Sequence, residues 1–172
     1  MGVGHNDDLI ISGLINKKGN FVFTYHKLII PYSEDKKITY LRGRFINAEI
    51  KFSKYIGLSN FSGNLTPKRF YNLNVLKNMG KSDKLIICEG EFDTMIMKQE
   101  GYYSIGIPGV TNIPENEIHL VKDYDVYVAF DNDEAGISAT HRITKIFNKP
   151  IKAIMLKHHK DLTELVNERY GR

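Results

Sequence analysis

Cysteine is almost missing from this chain of 172 residues, where Cys88 stands alone. One cysteine excludes a disulfide framework and any cysteine-rich zinc module. Its place inside an apolar run reads as a buried structural thiol rather than a nucleophile. No apolar run approaches the roughly 18 residues of a membrane span, and the first residues carry no apolar signal-peptide core. Internal repeats and low-complexity stretches are missing as well. The polar opening Met1–Asp8 is expected to fray. These absences leave a soluble chain suited to a reducing cytoplasm, with no membrane partner. Its 42% hydrophobic and 26% charged residues suit one sizeable domain or two small ones.

Acidic residues are scarce in the first half. Residues 1–80 hold 12 Lys and Arg against 5 Asp and Glu, a net of +7, whereas residues 81–172 hold 12 against 15, a net of −3. Uneven surface charge often has no function. The alternative is a basic platform for polyanions beside an acidic half for cations, and charge alone does not separate the two.

The first half reads as a small β-rich α+β subdomain. Strands are expected at Phe21–Tyr25, Lys27–Tyr32 and Ile38–Ile46, with a polar hairpin at Ser33–Lys37. Residues 53–55 and 59–67 read as irregular, and a linker at Asn78–Ser82 places the boundary at 80/81. Regular alternation follows: strands at Lys84–Cys88, Tyr103–Ile107, Asp125–Phe130 and Ile151–Leu156, with helices from about Phe92, Pro114, Ala135 and Leu162. Strand–helix alternation implies right-handed crossovers and a parallel four-stranded sheet with helices on both faces.

Two of those strands end in acids: Leu85-Ile86-Ile87-Cys88-Glu89-Gly90-Glu91-Phe92-Asp93 and Val126-Tyr127-Val128-Ala129-Phe130-Asp131-Asn132-Asp133. Parallel strands deliver such residues to the carboxyl edge of a sheet, where ligands bind. Glu89, Asp93, Asp131, Asp133 and Asp161 would repel one another there unless cations neutralise them. Oxygen ligands of this kind suit Mg²⁺ or Mn²⁺. Asp133 and Asp161 equally suit helix N-caps, and Asp93 suits a first helical turn. Glu89 and Asp131 have no such structural role to fill. His158 and His159 read as a polar surface pair, because neighbours in a strand face opposite ways.

The ordered set Glu89-Gly90-x-x-Asp93 and Asp131-x-Asp133-x-x-Gly136 resembles the Toprim domain, most closely that of DnaG-type primases. The resemblance implies a Toprim fold over 81–172, with Glu89 as general acid/base and Asp131 and Asp133 as Mg²⁺ ligands. The first half is similar, more loosely, to the rest of a primase catalytic core, in His26–Tyr32, Tyr40–Arg44, Phe52–Tyr55 and Pro67–Leu73. By that likeness Arg44 and Lys54 bind phosphates of nucleotide or nucleic acid, with Arg42, Lys68 and Arg69 behind them. A solvated basic surface is the plainer role for all five.

The implied activity is Mg²⁺-dependent synthesis of short RNA primers on single-stranded DNA from ribonucleoside triphosphates, with a replicative helicase as the family's partner. Thr163 stands where the family carries a metal-binding carboxylate, which puts further cation sites in question. The family's zinc-binding and helicase-binding domains are expected to be absent. That points to a catalytic fragment or a reduced form from a phage or mobile element. Two rivals stand beside priming: a Toprim nuclease using the same acids, and a non-catalytic nucleic-acid-binding module.

Overall fold

The computed structural model describes residues 4–46, 53–58, 69–156 and 158–171. The chain divides into two compact units, Met1–Pro67 and Lys68–Arg172.

Among the described residues the first unit opens with α1 (Gly4–Ile11), so Gly4–Asp8 is helical where fraying was expected. Its antiparallel sheet runs β1 (Leu28–Glu34), β2 (Lys37–Arg44), β3 (Tyr55–Gly57), in that order. Asp35 and Lys36 close the β1–β2 hairpin with φ of 48° and 66°. Such left-handed pairs match the twist of the flanking strands. β3 falls partly on residues expected to be irregular. In contrast, Phe21–Tyr25 forms turns rather than a strand, with only an isolated bridge from Phe21 to Ile15. Burial overrides β-propensity here: the amides of Thr24 and His26 fold back to the carbonyls of Phe21 and Phe23, and Phe23 sinks into the core at 2% exposure.

Gly43 makes that sinking possible. A Cβ on Gly43 would lie 2.5 Å from Phe23 Cδ1 and 2.8 Å from His26 Cβ. Alternation along β2 therefore leaves one face of Arg42-Gly43-Arg44 open to the buried Phe23 and His26, while both arginines share the other. His26 Nε2 lies 2.8 Å from the Ser53 carbonyl, tying this layer to the chain ahead of β3.

The second unit carries β4 (Lys84–Cys88), α2 (Glu91–Gln99), β5 (Tyr103–Gly106), α3 (Ile118–Val121), β6 (Asp125–Ala129), α4 (Glu134–Phe147), β7 (Lys152–Ala153) and α5 (Leu162–Tyr170). The sheet is parallel, in the order β5-β4-β6-β7. β4 is central and buried on both faces, which is why it reads as an unbroken apolar run. Leu85 and Ile87 join Ile105, Val128 and Ile143 on one side, while Ile86 and Cys88 join Met97, Ala129 and Leu162 on the other. Burial raises the pKa of the Cys88 thiol, so it packs as a small apolar group. The expected strand Ile151–Leu156 shrinks to two exposed residues. Ile154 still donates to the Val128 carbonyl at 2.8 Å, but Leu156 then turns into the core beside Leu162, taking the chain out of the sheet.

The break between units lies at 67/68, ahead of the expected 80/81, because residues 69–79 pack on the parallel sheet. Phe70 is buried, Tyr71 forms an antiparallel bridge with Gly106, and Leu73, Val75, Leu76 and Met79 line the core. Among the described residues no helix is long and apolar enough to cross a membrane.

Gly43→Ala is expected to destabilise the chain by about 1–3 kcal/mol, the usual range for an overpacked core. Chemical denaturation checks this, and an unchanged midpoint would show that Phe23 and His26 can move aside.

Candidate metal centre

The register of the sheet brings the first two acids together. Cys88 pairs with Ala129, so Glu89 and Asp131 leave the sheet at neighbouring points. The Asp131 amide donates to Glu89 Oε2 at 3.1 Å. This bond favours the charged carboxyl, yet Glu89 is raised to about 7, first by desolvation and then by the charges of Asp131, Asp133 and Asp93. Asp93, in the first turn of α2, is raised to about 6 by desolvation and by Asp131 and Asp161. Asp131 bears on both.

Asp133 and Asp161 take the capping roles that their positions suggested. Asp133 Oδ1 accepts from the Gly136 amide at 2.9 Å, and Asp161 Oδ1 from the Glu164 amide at 2.8 Å. Gly136 is required by close approach: a Cβ there would fall 2.1 Å from the Asp131 carbonyl oxygen. The Asp-x-Asp-x-x-Gly spacing is thus a loop wound onto its own helix. The two capped loops are joined, because the Asn132 amide donates to the Lys160 carbonyl at 2.9 Å.

Capping does not use up a carboxylate, which offers about four acceptor sites. Asp131, Asp133 and Asp93 act on Glu89, and Asp131 and Asp161 on Asp93, but among the described residues no group of three or more His, Cys, Asp or Glu is positioned to hold a metal ion. Such a half-built site still fits a hard cation. Mg²⁺ commonly takes one or two protein carboxylates and completes its shell with water and phosphate. The donor set is all oxygen, and the charges that perturb Glu89 and Asp93 are all carboxylates.

Thr163 was noted only as a departure from the family pattern. Its hydroxyl donates to Asp93 Oδ1 at 3.5 Å, a weak bond that favours the charged acid where a carboxylate would oppose it. Only the fold reveals this, since the two residues lie on different helices. His158 is exposed in a turn, whereas the His159 side chain is mostly covered and contacts Glu168 of α5, so the two follow β7 rather than alternate within a strand.

The basic residues divide. In the first unit Arg42, Arg44 and Lys54 gather round one ring: their charged groups lie 4.2, 5.5 and 6.0 Å from the Tyr55 centroid. Arg44 Nη1 also donates to the Tyr55 hydroxyl at 3.1 Å. Tyr55 was not singled out from the sequence, because its pairing with Arg44 across β2 and β3 is a matter of register. In the second unit Arg69 is engaged by Glu117 at 3.2 Å. The same carboxylate accepts from the Phe70 amide at 2.7 Å, so this ion pair anchors the start of the unit. Lys68 lies outside the described residues.

Residues 86–166 match the Toprim-like family, and the acids described above fall within that span. The DNA primase of Campylobacter jejuni subsp. jejuni serotype O:2 is 33% identical over 103 residues, which is 56% of this chain but 17% of that protein. The solved structure of the Aquifex aeolicus primase zinc-binding and RNA polymerase domains has a TM-score of 0.76 at 22% identity, over 93% of this chain and 42% of that one. A DnaG primase catalytic domain bound to single-stranded DNA gives 0.74 at 19%, over 97% and 58%. At these identities the likeness establishes the fold, and it extends beyond the matched residues 86–166 to the antiparallel sheet of the first unit.

Raised carboxyls fix the sign of a pH effect. The folded chain holds protons on Glu89 and Asp93 that the unfolded chain has already released, so between about pH 4 and 7 stability falls as pH rises. Glu89→Gln is expected to be more stable than wild type at pH 8 by roughly 1 kcal/mol, a value reduced for this half-buried group. The gain should vanish near pH 4. Melting temperatures across this range test it, and Mn²⁺ should stabilise wild type more at pH 8 than at pH 5.

Proposed function

We propose that this chain is the catalytic part of a DnaG-type primase, a nucleotidyltransferase that builds short RNA primers on single-stranded DNA. The observation that carries the reading is the Glu89 carboxylate, held on the Asp131 amide with a pKa of about 7. A group poised near the working pH is suited to take the proton of an attacking 3′-hydroxyl. Asp131 and Asp133 would hold Mg²⁺, with Asp93 and Asp161 adding charge around them. Bound there, the cation would neutralise charge building on the leaving pyrophosphate.

Arg44, Arg42 and Lys54 hold phosphates of nucleotide or template in this scheme. Tyr55 orients both guanidinium groups, Arg42 over the face of its ring and Arg44 through the bond from Nη1 to its hydroxyl. Arg69 has a smaller part, since its pairing with Glu117 is better explained by packing. The relative called a DNA primase supports the family's reaction, and the related catalytic domain bound to single-stranded DNA supports the template class. A replicative helicase is the partner expected of such a core, in the cytoplasm where replication proceeds.

Two assays on the same protein test the reading. Labelled ribonucleotides should be incorporated on single-stranded DNA with Mg²⁺ or Mn²⁺, and Glu89→Gln should lower that rate by about 10²-fold or more. Arg44→Ala should weaken template binding and flatten its salt dependence. Metal-dependent nicking of DNA without added nucleotides would point instead to a nuclease. Incorporation no better than in Glu89→Gln would sink the primase assignment.

A further inference from the structure

The acids use only part of the carboxyl edge. On one side of Asp131 a cavity of about 270 Å³ opens between α4 and the chain that follows β7. It exists because β7 stops at Ala153, so the sheet ends short while α4 overhangs it. Val128 and Phe130 form part of its largely apolar lining. Ile137 and Met155 also line it and remain 46% and 65% exposed. Single exposed apolar residues are ordinary, but these two border one cavity whose wall includes Asp131. Asn132 and His141 add polar groups to the lining.

We propose that this cavity is the nucleobase subsite of the centre, taking the base of a ribonucleoside triphosphate whose phosphates lie at the acids. The inference rests on the nucleotidyltransferase reading of those acids. Its argument is one of shape and chemistry. The volume lies just under the roughly 300 Å³ of the smallest ligand pockets, enough for a flat ring system and too little for a folded segment. Apolar walls suit the face of any base, so the subsite tolerates all four. The amide of Asn132 and the imidazole of His141 offer donors and acceptors to the edge of the ring. Asp131 belongs to both the cavity and the acid cluster. An occupant apolar at one end and polyanionic at the other is the ligand that uses both.

The test compares ATP and UTP with inorganic tripolyphosphate, each titrated into the full chain by calorimetry at fixed Mg²⁺. Both nucleotides are expected to bind about tenfold or more tightly than tripolyphosphate. Ala153→Phe, at an exposed position lining the cavity, should abolish that advantage while leaving tripolyphosphate affinity unchanged. His141→Ala should reduce the advantage in part. Saturation-transfer NMR should show base protons receiving magnetisation from the methyl groups of Ile137 and Met155.

Nucleotides that bind wild type no better than tripolyphosphate would overturn the base subsite and leave the phosphate reading standing. Equal weakening of all three by Ala153→Phe would overturn it too. A change of oligomeric state in that variant, without loss of discrimination, would reassign the surface to contact between copies. If wild type binds neither nucleotide nor tripolyphosphate, the reading of the acids falls and the subsite falls with it.

Discussion

Repulsion among carboxylates at one edge of the parallel sheet is the force against which the second unit is arranged. The charge of Asp131 raises the pKa of both Glu89 and Asp93. The acids stay together because backbone amides are aimed at them: that of Asp131 at Glu89, that of Gly136 at Asp133, that of Glu164 at Asp161. Beneath them lies a core in which Leu85, Ile87, Ile105 and Ile143 are fully buried. Each such side chain contributes about 1.5–3 kcal/mol on burial, enough in sum to offset crowded charge.

This arrangement makes folding and ligand binding draw on the same atoms. Asp133 and Asp161 start α4 and α5 and also contribute to the field around Glu89 and Asp93. Sequence spacing posed ligand and cap as alternatives, but one oxygen can cap while the other faces the cleft. The bond from Asn132 to Lys160 then joins the ends of β6 and of the loop before α5. Loss of either cap would therefore disturb the centre as well as its helix.

What could be read from the sequence was local. Lys84–Cys88 and Asp125–Phe130 announce themselves because buried parallel strands need apolar residues on both faces, and the acids mark where each leaves the sheet. The helices after them follow from spacing. Failures occurred where a distant partner decides. Phe21–Tyr25 has strand-like residues, but Phe23 is needed in the core against Gly43. Ile151–Leu156 looks like a full strand, yet Leu156 is drawn into the opposite face. Residues 69–79 read as the end of one domain because nothing local shows that Tyr71 will pair with Gly106. Tyr55 escaped notice for the same reason: its value lies in register with Arg44.

Three backbone amides in this centre donate to side-chain carboxylates instead of to carbonyls. The proton on such an amide is held by the charge on its acceptor. Its exchange with solvent therefore follows the ionic state of the acid more closely than the opening of the fold. The amide of Asp131, bonded to the raised Glu89 carboxyl, is thus a native gauge of how much negative charge the edge of the sheet is carrying.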